Sequence, residues 1–275
     1  MHWVNGKRAA QVSIEDRGLL YGDGLFETML WDIRGIQLLK YHLERLQFGC
    51  ELLHIKYPGN VLKLQLQKVV SSIAADGLTN AVIRLTVTRG VGLRGYAAYE
   101  TNDPTIIISA TLSTPPELGQ TARLFLCKNR IGIGSPIAGL KHLNRLEQVL
   151  LANELKDSDY DEGLVLDYEG TVISGTRSNV FLINDSVLQT PALDRCGIAG
   201  TIRRLVIERL APQLNMEVRI GRLSLVDVER ATEIFYCNSL IGVMSVSFFM
   251  GKTYEKFTTS EAIATALKNT ICEFS

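Results

Sequence analysis

The stretch TRGVGLRGYA, residues 88–97, spells G-x-G-x-x-G directly after an alternating apolar run that reads as a strand. A dinucleotide site on that pattern needs a helix opening right behind the glycines, whose N-terminus binds the pyrophosphate, and an acidic residue about 20 positions on for the ribose. YAAYETNDPT supplies no such helix and runs into Asn102-Asp103-Pro104. What remains is a strand ending in a glycine loop with Arg89 and Arg94, two guanidiniums suited to bidentate contact with carboxylates. On local sequence alone they are the solvated arginines of a hairpin loop.

The chain as a whole favours small-molecule chemistry. With 275 residues, 46% of them hydrophobic, it can bury the cores of two ordinary domains. Lys+Arg and Asp+Glu balance at 29 each, so no global field draws it to nucleic acid or an anionic membrane. The five cysteines (Cys50, Cys127, Cys196, Cys237, Cys272) are scattered and lack C-x-x-C pairing, against a disulfide framework or a metal site. A reduced, cytoplasmic location is the expectation. MHWVNGKRAAQ has no apolar leader, and no stretch reaches about 18 apolar residues without a charge.

The elements that must position any site follow from periodicity. HWVNGKRAAQVSI predicts a hairpin about Asn5-Gly6, EDRG a polar turn, and GLFETMLWDIRGIQLL two strands split at Gly35. KYHLERLQFGCELLHI places Leu43, Leu46, Cys50 and Leu53 at helical spacing, and VLKLQLQKVVSSIAADG is a second helix ending at Gly77. AVIRLTVTRG and TIIISATLS are strands, the second β-branched enough for a buried position. The only Pro-Pro lies in TPPELGQT, which sets domains at 1–113 and 122–275 with a linker at 114–121. Beyond it come the strand ARLFLCKN, the helix HLNRLEQVLLANELKD and several short strands in DEGLVLDYEGTVISGTRSNVFLINDSVLQTP. GTIRRLVIERLAPQL is a further helix that turns Ile202, Leu205, Val206 and Leu210 inward. Interleaved strands and helices make the class α+β or α/β.

Six stretches then carry a resemblance: DRGLLYGDGLFET (16–28), HLERL (42–46), GLKHLNRLEQVL (139–150), SGTRSNVFLI (174–183), GIAGTIR (197–203) and CNSLIGVMSV (237–246). In order and spacing the chain resembles the class IV, fold-type IV pyridoxal-phosphate enzymes, which include branched-chain and D-amino-acid aminotransferases and aminodeoxychorismate lyases. LKHLNRLEQVL, RGVGLRGY and CNSLIGVMSV look most like the lyase branch. The resemblance spans about residues 3–250. It implies a two-domain fold, a smaller N-terminal α/β domain and a larger C-terminal one with the cofactor cleft between them, and a homodimer.

It also implies roles. Pyridoxal phosphate needs a lysine amine to condense with its aldehyde, and the match puts that role on Lys141. The phosphate would be held by Arg45, by the amides of Thr201 and Ile202 at a helix start, and by Ser239, with Asn238 and Asn179 beside the cofactor. By itself Arg45 reads as a salt-bridged surface residue. Where the family usually has a glutamate against the pyridine nitrogen, this chain has Ser174, which can hydrogen-bond the nitrogen but cannot hold a positive charge there. The lyase substrate carries two carboxylates, to which the match assigns Arg89 and Arg94, with Tyr96 and Tyr21 as further substrate contacts. His42 and His142 are read as packing residues beside the site. The implied reaction converts 4-amino-4-deoxychorismate to 4-aminobenzoate and pyruvate. A class IV aminotransferase acting on branched-chain or D-amino acids is the alternative.

Overall fold

The computed structural model describes residues 1–273 apart from 99–102, 115–118, 157 and 185–186, so positions 115–118 of the expected linker lie outside the described residues. The chain divides into two compact units. The first is Met1–Pro115 with Leu140–Asn144, and the second is Pro116–Gly139 with Arg145–Glu273.

The first unit opens with β1 (His2–Val4) and β2 (Lys7–Arg8), a hairpin whose Asn5 and Gly6 both have positive φ, as a tight two-residue turn requires. The expected polar turn at EDRG is instead the start of α1 (Arg17–Tyr21), because the Asp16 carboxylate accepts from Gly18 N and caps it. Next come β3 (Gly24–Asp32) and β4 (Gly35–Ile36); the chain reverses at Ile33–Arg34, and Gly35 is already in the second strand. Helices α2 (Leu39–Leu52) and α3 (Gly59–Ala75) follow, then β5 (Asn80–Thr88) and β6 (Thr105–Leu112). Gly77, just past α3, takes φ +82°, the left-handed cap expected there.

These strands form one sheet ordered β2-β1-β6-β5-β3-β4, with β6 in its interior. Every pairing is antiparallel. Side chains alternate across it. Met29, Ile83, Leu85 and Ile108 are fully buried with Leu46 of α2 and Leu62 and Ile73 of α3, which pack on β3 and β6. On the opposite face Phe26 stands beside Thr86, and Thr28 beside Arg84.

The second unit begins with β7 (Thr121–Leu126) and α4 (Leu146–Lys156). The helix expected from His142 thus starts only at Leu146, since Leu140–Asn144 is drawn out alongside β3 of the first unit. β8 (Glu162–Leu166), β9 (Val172–Gly175), β10 (Asn179–Asn184) and β11 (Val187–Pro191) are the predicted short strands. The next helical run is α5 (Thr201–Leu205), a π-helical turn (Val206–Leu210) and α6 (Ala211–Gln213), with Ile202, Leu205, Val206 and Leu210 buried as expected. The wider turn lies just ahead of Pro212, which has no N–H to give the preceding turn.

The periodicity reading did not assign the remaining elements: β12 (Glu217–Gly221), α7 (Leu225–Arg230), β13 (Glu233–Asn238), β14 (Gly242–Phe249), β15 (Lys252–Thr253) and α8 (Thr258–Glu273). The sheet is ordered β12-β11-β10-β13-β14-β7-β8-β9, with β15 on β14. It curls until β9 lies against β10 and β11. Its core gathers Leu124, Leu164, Val180, Leu182, Ile234, Val246 and Phe249. Buried Glu233 accepts from the amides of Thr259 and Ser260, satisfying donors at the start of α8 that no helical carbonyl can reach. Among the described residues no helix is long and apolar enough to cross a membrane.

Candidate active site

Lys141 owes its place to β3. Phe26 N donates to Lys141 O at 2.9 Å and Leu143 N to Gly24 O at 3.0 Å, so the lysine rides on an extra extended segment. Gly24 permits this approach, for a Cβ there would sit 2.6 Å from Val87 O and 2.9 Å from Leu143. The half-buried Lys141 Nζ lies 4.2 Å from the centre of the Phe26 ring.

Behind it stands a charge cluster that sequence reasoning reached only in part. Arg45 on α2 places Nε on Glu27 Oε1 at 2.8 Å and Nη2 on Oε2, and His42 Nδ1 is 2.6 Å from the same Oε2. Glu27 and His42 are fully buried. Burial alone would raise the carboxyl, yet Arg45 and His42 hold Glu27 down at about 2. Burial also pushes the His42 imidazole below its ordinary value, helped by the charges of Arg45 and Lys141 and opposed by Glu27. The ring is therefore neutral, with Nδ1–H donating to Glu27 and Nε2 left as a buried acceptor with no hydrogen-bond partner among the described residues. His42 is more than a packing residue, because it helps fix the plane of Arg45. Glu27 was missed. Its signal was a carboxylate at an inward position of an alternating apolar strand, facing a helix that turns His42 and Arg45 the same way.

The glycine loop brings a correction. Arg89 was expected to bind a substrate carboxylate, but it is buried and its donors are spent inside the unit. Nε and Nη2 grip both oxygens of Asp23, while Nη1 and Nη2 donate to His54 O and Leu53 O beyond the end of α2. Its role is to tie β5 to that helix. Arg94 is exposed on the loop and has no partner among the described residues. Tyr96 is 89% exposed. The Tyr21 hydroxyl accepts from Gly95 N at 3.0 Å, and the Tyr21 and Tyr96 rings are 5.6 Å apart. A cation not anticipated from the sequence, Arg84, lies with its guanidinium carbon 4.0 Å from the centre of the Phe26 ring and has no ion pair among the described residues.

The second unit supplies anion-binding geometry of another kind. Gly200 caps α5 without a side-chain bond, so the first amides of the run, Thr201 and Ile202, have no side-chain acceptor from the cap. A Cβ at Gly200 would fall 2.0 Å from Asn179 Oδ1, and Asn179 Nδ2 donates to Ile198 O at 2.9 Å. Asn179 thus shapes the loop ahead of the helix. Arg203 anchors that helix to β11 through Thr190 Oγ1 and Pro191 O. Gly139 pairs with the same loop, accepting from Ala199 N and donating to Gly197 O, and the chain then runs straight into Lys141.

Asn238 works as a turn former, its Oδ1 accepting from Leu240 N and Ile241 N, with Ser239 inside the turn. Ser174 Oγ donates to Gly175 O at 2.8 Å. Glu162, fully buried on the neighbouring strand, does not stand in for the missing carboxylate: Thr176, Ser178 and Gly163 N take up its oxygens.

The first unit thus carries a lysine amine and an arginine fixed by Glu27, and the second a helix start whose cap leaves its first amides open, donor types that a phosphorylated aldehyde cofactor uses. Comparison with known proteins agrees. Residues 24–248 match the model of amino-transferase class IV. The chain is 33% identical to an aminodeoxychorismate lyase of Vibrio harveyi, over 90% of each chain. It is 32% identical to a putative branched-chain-amino-acid aminotransferase of Methanocaldococcus jannaschii, over 89% of this chain and 86% of the other. A crystal structure of 4-amino-4-deoxychorismate lyase from Pseudomonas aeruginosa superposes with a TM-score of 0.89 at 38% identity, covering 98% of both chains. This protein is a pyridoxal-phosphate-dependent enzyme of the class IV aminotransferase family.

Proposed function

We propose that the protein converts 4-amino-4-deoxychorismate to 4-aminobenzoate and pyruvate. The observation that carries this reading is Arg94, a guanidinium with no partner among the described residues, on a loop pinned to the sheet that also holds Lys141. Such a cation suits a substrate carboxylate. Arg84, rather than Arg89, is the cation available for a second carboxylate.

Bound pyridoxal phosphate supplies an aldehyde for the substrate amine and a ring that acidifies the carbon bearing it. Lys141 Nζ would hold the cofactor aldehyde, and the same amine would move a proton from the carbon bearing the substrate nitrogen to the departing enolpyruvate. Arg45, the Thr201 and Ile202 amides and Ser239 are assigned to the phosphate. The two products together contain every atom of the substrate, so no co-reactant is required. Ser174 supports the lyase over aminotransfer, because a ring that becomes aromatic supplies driving force that a weaker electron sink does not.

The second reading, a branched-chain or D-amino-acid aminotransferase, is favoured by the M. jannaschii relative. Incubation with 4-amino-4-deoxychorismate separates the two. The lyase releases 4-aminobenzoate, and Lys141→Ala abolishes that release; keto acid made from an amino donor with no 4-aminobenzoate would establish the alternative.

A homodimer is part of the proposal. Ile14, Leu19 and Leu93, in α1 and the loops before it and after β5, are 63–80% exposed, apolar side chains that a second copy could cover. Sedimentation at the mass of a single chain would remove it. The four described cysteines are buried and free, in keeping with a reducing compartment.

A further inference from the structure

Arg17 lies in the interior of the first unit, its side chain 3% exposed, and its guanidinium is surrounded by acceptors. Nε donates to Asp23 Oδ2 at 2.9 Å, Nη1 to Gly95 O at 2.8 Å and Nη2 to Tyr96 O at 3.0 Å. The Tyr21 ring centre is 4.7 Å from the guanidinium carbon, and its hydroxyl takes the Gly95 amide from the other side. The backbone joins in, since Arg17 N donates to Gly90 O at 2.9 Å. Gly90 has φ +87°, and a Cβ there would lie 2.0 Å from Asp103 O, so the loop leaves β5 at a fixed angle. Asp23, held by both Arg17 and Arg89, stays below the usual carboxylate value: burial opposes this, and the two guanidiniums outweigh it.

We propose that Arg17 is a positioning residue for the substrate: it clamps the carbonyls of Gly95 and Tyr96 and so presents Arg94 to an incoming carboxylate in a loop already ordered before binding. Arg17 itself touches no ligand, because it is buried with Nε, Nη1 and Nη2 all engaged. The geometry asks for arginine. A planar fork reaches two successive carbonyls and a carboxylate at once, whereas an ammonium on a flexible stem cannot span them. A loop fixed during folding surrenders its conformational freedom there instead of at the binding step, which lowers KM more than it raises kcat.

The inference rests on Arg94 meeting the substrate, so its test has one arm that needs no substrate. In R17K, cleavage of the folded protein by trypsin after Arg94 accelerates about tenfold relative to other sites, as expected for a loop that opens more often. Unchanged cleavage in a variant with native circular dichroism overturns the clamp. In the second arm R17K raises KM for 4-amino-4-deoxychorismate about tenfold with kcat within about twofold, and adding R94M to R17K costs little more. Fully additive effects overturn the link from Arg17 to Arg94. Should R17K fail to fold, Y21F loosens the same loop through the Gly95 amide without disturbing the ion pairs, and the same two readouts apply. Failure of the lyase reading looks different: the unaltered enzyme then yields no 4-aminobenzoate, while the trypsin result stands.

Discussion

Glu27 and Arg45 meet inside the first unit as a two-pronged ion pair, with His42 hydrogen-bonded to one of the same carboxylate oxygens. A guanidinium gripped at two nitrogens can neither rotate about its last bond nor swing away. The pair therefore sets the direction in which Arg45 presents the guanidinium that we propose for the cofactor phosphate.

Removing that carboxylate charge takes from the largely buried Arg45 the counter-charge that grips it at two nitrogens. Glu27→Gln is expected to destabilise the protein by about 3–5 kcal/mol, the usual result of breaking a buried pair from one side. Cofactor affinity should fall as well. Thermal melting and a fluorescence titration with pyridoxal phosphate measure the two, and an unshifted melt would show the pair to be dispensable.

Acid should unfold the protein in two stages. The folded pKa values of His42 and Glu27 are both depressed, so the unfolded chain binds more protons in each window and stability falls with falling pH. The His42 contribution is present above the ordinary imidazole value, about 6.5, and begins to be lost below it. That of Glu27 is present above about 4.5 and is lost as pH falls toward about 2, an amount on the order of 3 kcal/mol. Denaturant melts at pH 7, 6, 5 and 4 give the slope, and His42→Gln should flatten the upper window and narrow the lower one, because His42 is one of the two groups that hold Glu27 down.

Gly200→Ala inserts a methyl group 2.0 Å from Asn179 Oδ1, whose amide is anchored on Ile198 O. The loop ahead of α5 must shift. A loss of about 1–3 kcal/mol of stability is expected from such overpacking, with about a tenfold weaker hold on the cofactor phosphate. Equal affinity for pyridoxal phosphate in both proteins would dissociate this helix start from the cofactor.

Ser174→Glu restores a carboxylate where the family usually carries one. Its expected effect is a shift in the absorbance of the bound cofactor and a gain in turnover of amino donors, with release of 4-aminobenzoate unchanged or slower. A large gain in 4-aminobenzoate release instead would mark the serine as a handicap.

The residues show where sequence reading stopped. The Asn5-Gly6 hairpin, the alternation of β5 and β6 and the inward stripe of the Thr201 helix were legible because each depends on neighbours a few positions away. The six motifs identified the family, since residue types at fixed separations survive without coordinates, and through that resemblance they nominate Lys141 and Arg45 for the cofactor. Sequence left α4 four residues too long, because the pull that extends Leu140–Asn144 comes from β3, more than a hundred positions earlier. It likewise sent Arg89 toward solvent. Whether a guanidinium is bound inside or offered outside depends on which acceptors the fold carries to it, and Asp23, Leu53 and His54 reach Arg89 only after α1, α2 and β5 have packed. Local propensity and spacing determined the elements and the chemical kind of this protein. Tertiary packing alone decided which charges are spent on holding it together and which remain for a substrate, because a buried charge must be paired and its partners come from far along the chain.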